Sequence, residues 1–66
     1  MLQDCLREYR YKNNLTQKQM AKKLRTAQTY YCAIETGRYK PGFQMINRIA
    51  RVLKKDVSEI RELLWR

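Results

Sequence analysis

The sequence predicts an all-helical fold, and three observations carry that expectation. Every glycine and proline of the 66-residue chain, Gly37, Pro41 and Gly42, falls in one short window, which leaves the residues on both sides free to be helical. Lys, Arg, Gln, Leu, Met and Ala dominate those flanks, and all are good helix formers. Apolar residues recur at three- and four-residue spacing, while two-residue alternation is scarce. A chain this short is one domain, 1–66, with no internal repeat and nothing that reads as a linker.

Each element follows from its own pattern. Leu2, Cys5, Leu6 and Tyr9 form the buried stripe of a first helix. It should stop at Asn13-Asn14, because Asn tolerates the left-handed conformation that ends helices. Thr16 offers an N-cap hydroxyl, and Gln19 three residues later completes a capping-box pattern, with Leu15 just before it. The second helix, about 17–24, buries Met20, Ala21 and Leu24, and a third follows within a few residues, burying Tyr31 and Ile34. Past the 37–42 loop, Met45, Ile46, Ile49, Ala50 and Leu53 mark a fourth helix, with Arg48, Arg51, Lys54 and Lys55 mostly off the stripe. Asp56 with Glu59 restarts a fifth, continued by Val57, Ile60, Leu63 and Leu64. Some fifteen buried side chains make a small core. At ~25 cal/mol per Å² it roughly offsets chain entropy, so dimerisation would add stability.

Charge narrows the function. There are 15 Lys plus Arg against 6 Asp plus Glu, a net +9, and the excess is concentrated. Residues 1–8 carry −1, residues 9–55 carry +11 and residues 56–66 carry −1. A middle section this basic implies a polyanionic partner, with nucleic acid ahead of an anionic membrane surface. The longest apolar run, Tyr30 to Ile34, is five residues, far short of the ~20 that a membrane span needs. No signal peptide is visible at the start, so the expected compartment is the cytoplasm. Histidine is absent, which removes Ser-His and Cys-His dyads and any zinc set built on two cysteines. Cys5 and Cys32 lie 27 positions apart, in neither a redox motif nor a metal pair; both read as reduced small apolar side chains, with redox sensing by Cys32 as the lesser alternative. An enzyme is not expected, nor a metal, nor a cofactor.

The stretch from Gln17 to Gly37 reads as a short helix, a tight turn and a second short helix. Two helices that cross steeply need a small residue where their backbones meet, and Ala21 suits that place. The second helix then has its N-terminal residues free to enter a DNA major groove. Leu15-Thr16-Gln17, Ala21, Ile34-Glu35-x-Gly37, Pro41 and Ile49-Ala50-x-x-Leu53 together resemble the phage repressor and Cro-like helix-turn-helix regulators, also called the xenobiotic-response-element family. The resemblance covers about residues 6–60, without insertions between Gln17, Glu35 and Pro41. It implies a compact five-helix, lambda-repressor-like domain with the helix-turn-helix at about 17–36.

The same resemblance implies site residues. Gln28, Thr29 and Ala33 would face base edges; Gln and Thr suit adenine and thymine, and Ala can pack on a thymine methyl. Gln17 would touch a phosphate and brace Gln28, while Arg38, Tyr39, Lys40 and Gln44 would meet the DNA backbone, with main-chain amides near Phe43 and Gln44. Arg10 and Glu35 would form a salt bridge between the first and third helices. The expected partners are a double-stranded operator and a second copy of the chain. The C-terminal helix, 56–65, with Leu63, Leu64 and Trp65, is the expected dimer interface.

The chain departs from the family pattern between 25 and 31. Arg25 stands where glycine is usual, at a cost of ~1–2 kcal/mol if it is left-handed. It can instead adopt an ordinary conformation or contact a phosphate. Ala27 replaces the usual Ser or Thr cap, which leaves Thr26 to cap one residue early. Tyr31 fills a branched-aliphatic position and needs a partner for its hydroxyl, and Tyr30 beside it is expected to be exposed and able to face DNA. The leading reading is a sequence-specific DNA-binding transcriptional regulator, a homodimeric repressor of a palindromic operator. The alternatives are an antitoxin or anti-regulator that uses the same fold to hold a protein, a basic membrane-surface helix, and a tyrosine-stacking single-strand binder.

Overall fold

A computed structural model describes residues 1–64, so Trp65 of the expected interface lies outside the described residues. Five helices follow in order: α1 (Leu2–Lys12), α2 (Gln17–Lys23), α3 (Gln28–Glu35), α4 (Phe43–Leu53) and α5 (Val57–Leu64). α3 packs against both α1 and α2, while α5 packs against α4 and α1. Leu6, Met20, Leu24, Tyr31, Ile34, Ile49 and Ile60 are the fully buried centre, one or more from each helix or its cap. Among the described residues twelve apolar side chains are buried, fewer than the stripes suggest, because Tyr9, Leu53, Leu63 and Leu64 are only half-buried at the rim.

The capping box forms as the sequence implies. Gln19 N–H donates to Thr16 Oγ1 at 3.1 Å, and Thr16 N–H donates to Gln19 Oε1 at 2.8 Å. α4 is longer at its start than its stripe, beginning at Phe43 with Gly42 as an N-cap that has no side chain to offer.

The first four helices end in one way. A residue turns left-handed, and the amide after it reaches back five residues, the closure that satisfies an otherwise unpaired last-turn carbonyl. The left-handed residues are Asn14 (φ 54°), Arg25 (φ 57°), Gly37 (φ 80°) and Lys54 (φ 57°). The closing bonds are Leu15 N–H to Arg10 O, Thr26 N–H to Ala21 O, Arg38 N–H to Ala33 O and Lys55 N–H to Ala50 O, all 2.9–3.0 Å. Arg25 therefore does carry the left-handed strain, ~1–2 kcal/mol relative to glycine. The Thr26 amide closes α2, and α3 starts only at Gln28, so Thr26 stands one residue too early to cap it. The cap is the extended residue Ala27, which supplies no side-chain acceptor.

Candidate nucleic-acid interface

α3 is held at its C-terminal half. Tyr31, Ile34 and Glu35 point inward, and Glu35 is only 3 % exposed. A lone carboxylate there would be costly, and Arg10 of α1 removes the cost by a two-pronged contact. Its Nε donates to Oε2 at 3.0 Å and its Nη2 to Oε1 at 2.9 Å, while its Nη1 donates to the Leu15 carbonyl at 3.1 Å. The Arg10–Glu35 bridge thus forms as the resemblance implies. Gln17 Nε2 donates to the same carboxylate at 3.4 Å, so it braces Glu35 and not Gln28, because the ionised carboxylate is the stronger acceptor. Burial works to raise the Glu35 pKa, but the hydrogen bonds from Arg10, helped by the nearby Tyr31 hydroxyl and by Gln17, outweigh it and hold the carboxyl below its ordinary value. Tyr31 Oη is buried and has no partner in hydrogen-bonding geometry. Burial first, then the adjacent Glu35 carboxylate, pushes its phenol well above the ordinary value.

The N-terminal half of α3 is presented to solvent. Gln28 and Thr29 are exposed in its first turn, and Ala33, one turn beyond Thr29, is half-buried. Ala27 places no acceptor over the first amides. Arg38, Tyr39 and Lys40 are exposed in the loop after α3, and Pro41 turns the chain into the interior before α4 starts at Phe43 and Gln44, both exposed. Tyr30 is not the free neighbour expected from sequence. It is half-buried, and its ring meets that of Tyr39 edge-on, centroids 5.2 Å apart, because the loop folds back over α3. Thr26, Tyr30, Phe43 and Gln44 line one cleft between the starts of α3 and α4. Arg25 is exposed at the neighbouring turn.

Charge follows the same division. Glu35 is the sole acid between residues 9 and 55, and it is buried in an ion pair, so every exposed charge in that section is positive. Leu63 and Leu64 are half-buried against the core and keep part of their surface accessible. Cys5 and Cys32 are half-buried free thiols. Among the described residues no helix is long and apolar enough to cross a membrane, and no cluster of His, Cys, Asp or Glu is arranged to hold a metal ion.

The family model of a helix-turn-helix domain matches residues 5–61. The chain belongs to the helix-turn-helix family of transcriptional regulators. Its relatives include an uncharacterized HTH-type transcriptional regulator of Archaeoglobus fulgidus, 31 % identical over 64 residues, covering 91 % of this chain and 90 % of the relative. A second, from Methanocaldococcus jannaschii, is 34 % identical over 59 residues and 89 % of each chain. The ImmF control region 10 kDa protein of Bacillus phage phi105 is 34 % identical over 56 residues, covering 85 % of this chain and 62 % of that protein. No solved structure matches significantly. The likeness to phage repressor and Cro-like regulators is thereby borne out, as is the five-helix fold.

Two structural contacts of this helix-turn-helix domain escaped the sequence reading. Arg7 Nη1 donates to the Glu35 backbone carbonyl at 3.4 Å, and Arg48 Nη1 lies 3.5 and 3.3 Å from the Leu24 and Arg25 carbonyls. Both join residues more than twenty positions apart through backbone acceptors. Neither has a pattern in the sequence, because a carbonyl is present at every position.

Proposed function

We propose that the protein is a sequence-specific double-stranded DNA-binding regulator that inserts the start of α3 into the major groove, as a homodimeric repressor of a palindromic operator. The observation that carries this is the pairing of a fixed, buried α3 C-terminus with an exposed Gln28-Thr29 face on a surface whose charge between 9 and 55 is uniformly positive. Gln28, Thr29 and Ala33 read bases. Gln17, Arg25, Arg38, Tyr39, Lys40 and Gln44 meet the backbone, with the α3 and α4 amides adding dipolar attraction. Tyr30 acts through Tyr39, whose ring it supports. The α5 end, Leu63 and Leu64 with Trp65 beyond, joins two copies so that two α3 helices lie about one DNA turn, ~34 Å, apart.

Selection of bound sites from a random duplex library tests the reading. The expected product is an inverted repeat bound far more tightly than random duplex, with an affinity that falls steeply with salt. Equal affinity for all duplexes overturns sequence specificity. Sedimentation of a chain ending at Leu63 tests the interface; an unchanged oligomeric state excludes the α5 end.

A further inference from the structure

Among the described residues Arg48 makes the only hydrogen bonds from an α4 side chain to the backbone of the helix-turn-helix turn. It sits at the middle of α4, off the stripe formed by Met45, Ile46, Ile49 and Ala50. Its Nη1 donates to the carbonyl of Leu24, the C-cap of α2, at 3.5 Å and to that of Arg25, the left-handed residue, at 3.3 Å. It also forms the wall between two clefts. Thr26, Tyr30, Phe43 and Gln44 lie on one side, and Lys23, Arg25 and Arg51 on the other. No carboxylate lines either cleft, so the guanidinium has no ion pair to make there and its described partners are the two turn carbonyls.

We propose that Arg48 is a positioning residue for DNA recognition, which braces the strained turn at Arg25 from α4. The inference rests on the functional reading above. A non-glycine residue in the left-handed region favours other conformations of the turn, and those would re-aim the start of α3, where Gln28 and Thr29 are presented. The two hydrogens of one guanidinium nitrogen, Nη1, directed at the carbonyls of that turn hold the left-handed form and tie it to the helix whose own start, Phe43 and Gln44, borders the same cleft. The two places where the protein meets DNA are thereby kept in register. Both contacts are at the long end of the hydrogen-bond range, so their effect falls on the population of turn geometries more than on global stability. Lysine keeps the charge but lacks the rigid, planar guanidinium that aims the Nη1 hydrogens, which makes Arg48→Lys the informative change.

The experiment compares wild type, Arg48→Lys, Arg25→Gly and the double variant, using the duplex enriched by wild type, a random-sequence duplex, and amide hydrogen exchange of Thr26 in the free protein. Arg48→Lys is expected to keep random-duplex affinity within about twofold, to lower the enriched-over-random ratio about tenfold, and to speed Thr26 exchange by a similar factor. Adding Arg25→Gly removes the strain and takes one backbone contact from both duplexes alike. The enriched-over-random ratio and the Thr26 exchange rate, though not the affinities themselves, should then return to within about threefold of wild type. An equal loss on both duplexes would make Arg48 a phosphate contact and overturn the proposal. Unchanged Thr26 exchange, or a double variant no better than Arg48→Lys, overturns it as well. A wild type that enriches no duplex overturns the functional reading and the DNA half of this inference, while Thr26 exchange still decides the brace.

Discussion

The two ends of α3 are built on opposite plans. At the C-terminal end the side chains are buried, Glu35 is gripped by Arg10 and Gln17, its carbonyl accepts from Arg7, and Gly37 closes the helix tightly against Gln3. At the N-terminal end the cap is Ala27, the preceding turn is strained at Arg25, and Gln28 and Thr29 face solvent. One end is anchored by polar contacts that would be expensive to leave half-made. The other has its first amides and the Gln28 and Thr29 side chains free for a ligand, held by the Thr26–Ala21 closure, the Tyr30–Tyr39 contact and, at long range, Arg48. The contrast implies that substitutions at the C-terminal end act on stability, and those at the N-terminal end on DNA.

The largest effect should come from breaking the anchor. Arg10→Ala leaves the buried Glu35 carboxylate without its principal partner and should cost about 3–5 kcal/mol in urea denaturation. The pH dependence has a definite sign. The folded pKa of Glu35 lies below its ordinary value of 4.5, so its contribution is complete above about that pH and is lost as the pH falls through the folded value. Glu35→Gln should flatten that part of the acid-unfolding curve. If Arg10→Ala instead changed DNA affinity with little loss of stability, the division between the ends would fail.

At the other end, Gln28→Ala should cost about 1–3 kcal/mol on the preferred duplex, relax one base position and leave urea stability unchanged. Lys40→Ala should weaken all duplexes alike and flatten the salt slope by about one. Unchanged base preference in Gln28→Ala would place the wrong residues of α3 in the groove.

How much of this was legible in the sequence also divides along α3. The Arg10–Glu35 bridge and the buried Tyr31 and Ile34 were expected, because charge types, apolar spacing and family pattern all act at fixed offsets. The turn was less legible. Whether Arg25 is left-handed depends on backbone closure through Thr26, and the start of α3 at Gln28 makes Ala27, not Thr26, the cap. Tyr30 was misplaced because its partner, Tyr39, lies across a loop whose path no periodicity encodes. Gln17 turns from Gln28 to the stronger acceptor, Glu35, which lies 18 positions away in the sequence. What the sequence hides here is contact through backbone atoms or across loops.

Gly37 sharpens the comparison of the two left-handed helix ends that flank α3. Arg25 tolerates a side chain there, but at Gly37 a Cβ would sit 2.7 Å from Gln3 Nε2 and at φ +80°. Gly37→Ala should destabilise by about 1–2 kcal/mol from the backbone conformation alone. Pairing it with Gln3→Ala should recover only the share due to the contact. Complete recovery would mean that the left-handed conformation costs nothing here, and Arg25 would then need no brace.

The smallest change tests why the α3 N-terminus lacks a cap. Ala27→Ser places a hydroxyl where it can accept from the first amides and should stabilise the fold by about 0.5–1 kcal/mol. Ala27→Asp should stabilise by a comparable amount, with the helix dipole adding to the hydrogen bond. The two variants differ in charge, and that difference is informative. If the end of α3 faces phosphates, the carboxylate of Ala27→Asp repels them and weakens binding to every duplex, while Ala27→Ser leaves binding close to wild type. Equal DNA affinities for the two variants would mean that this end points away from the backbone. A loss confined to Ala27→Asp would mean that the absence of an acidic cap keeps the approach to DNA open, at a cost in stability that the anchored end of the same helix offsets.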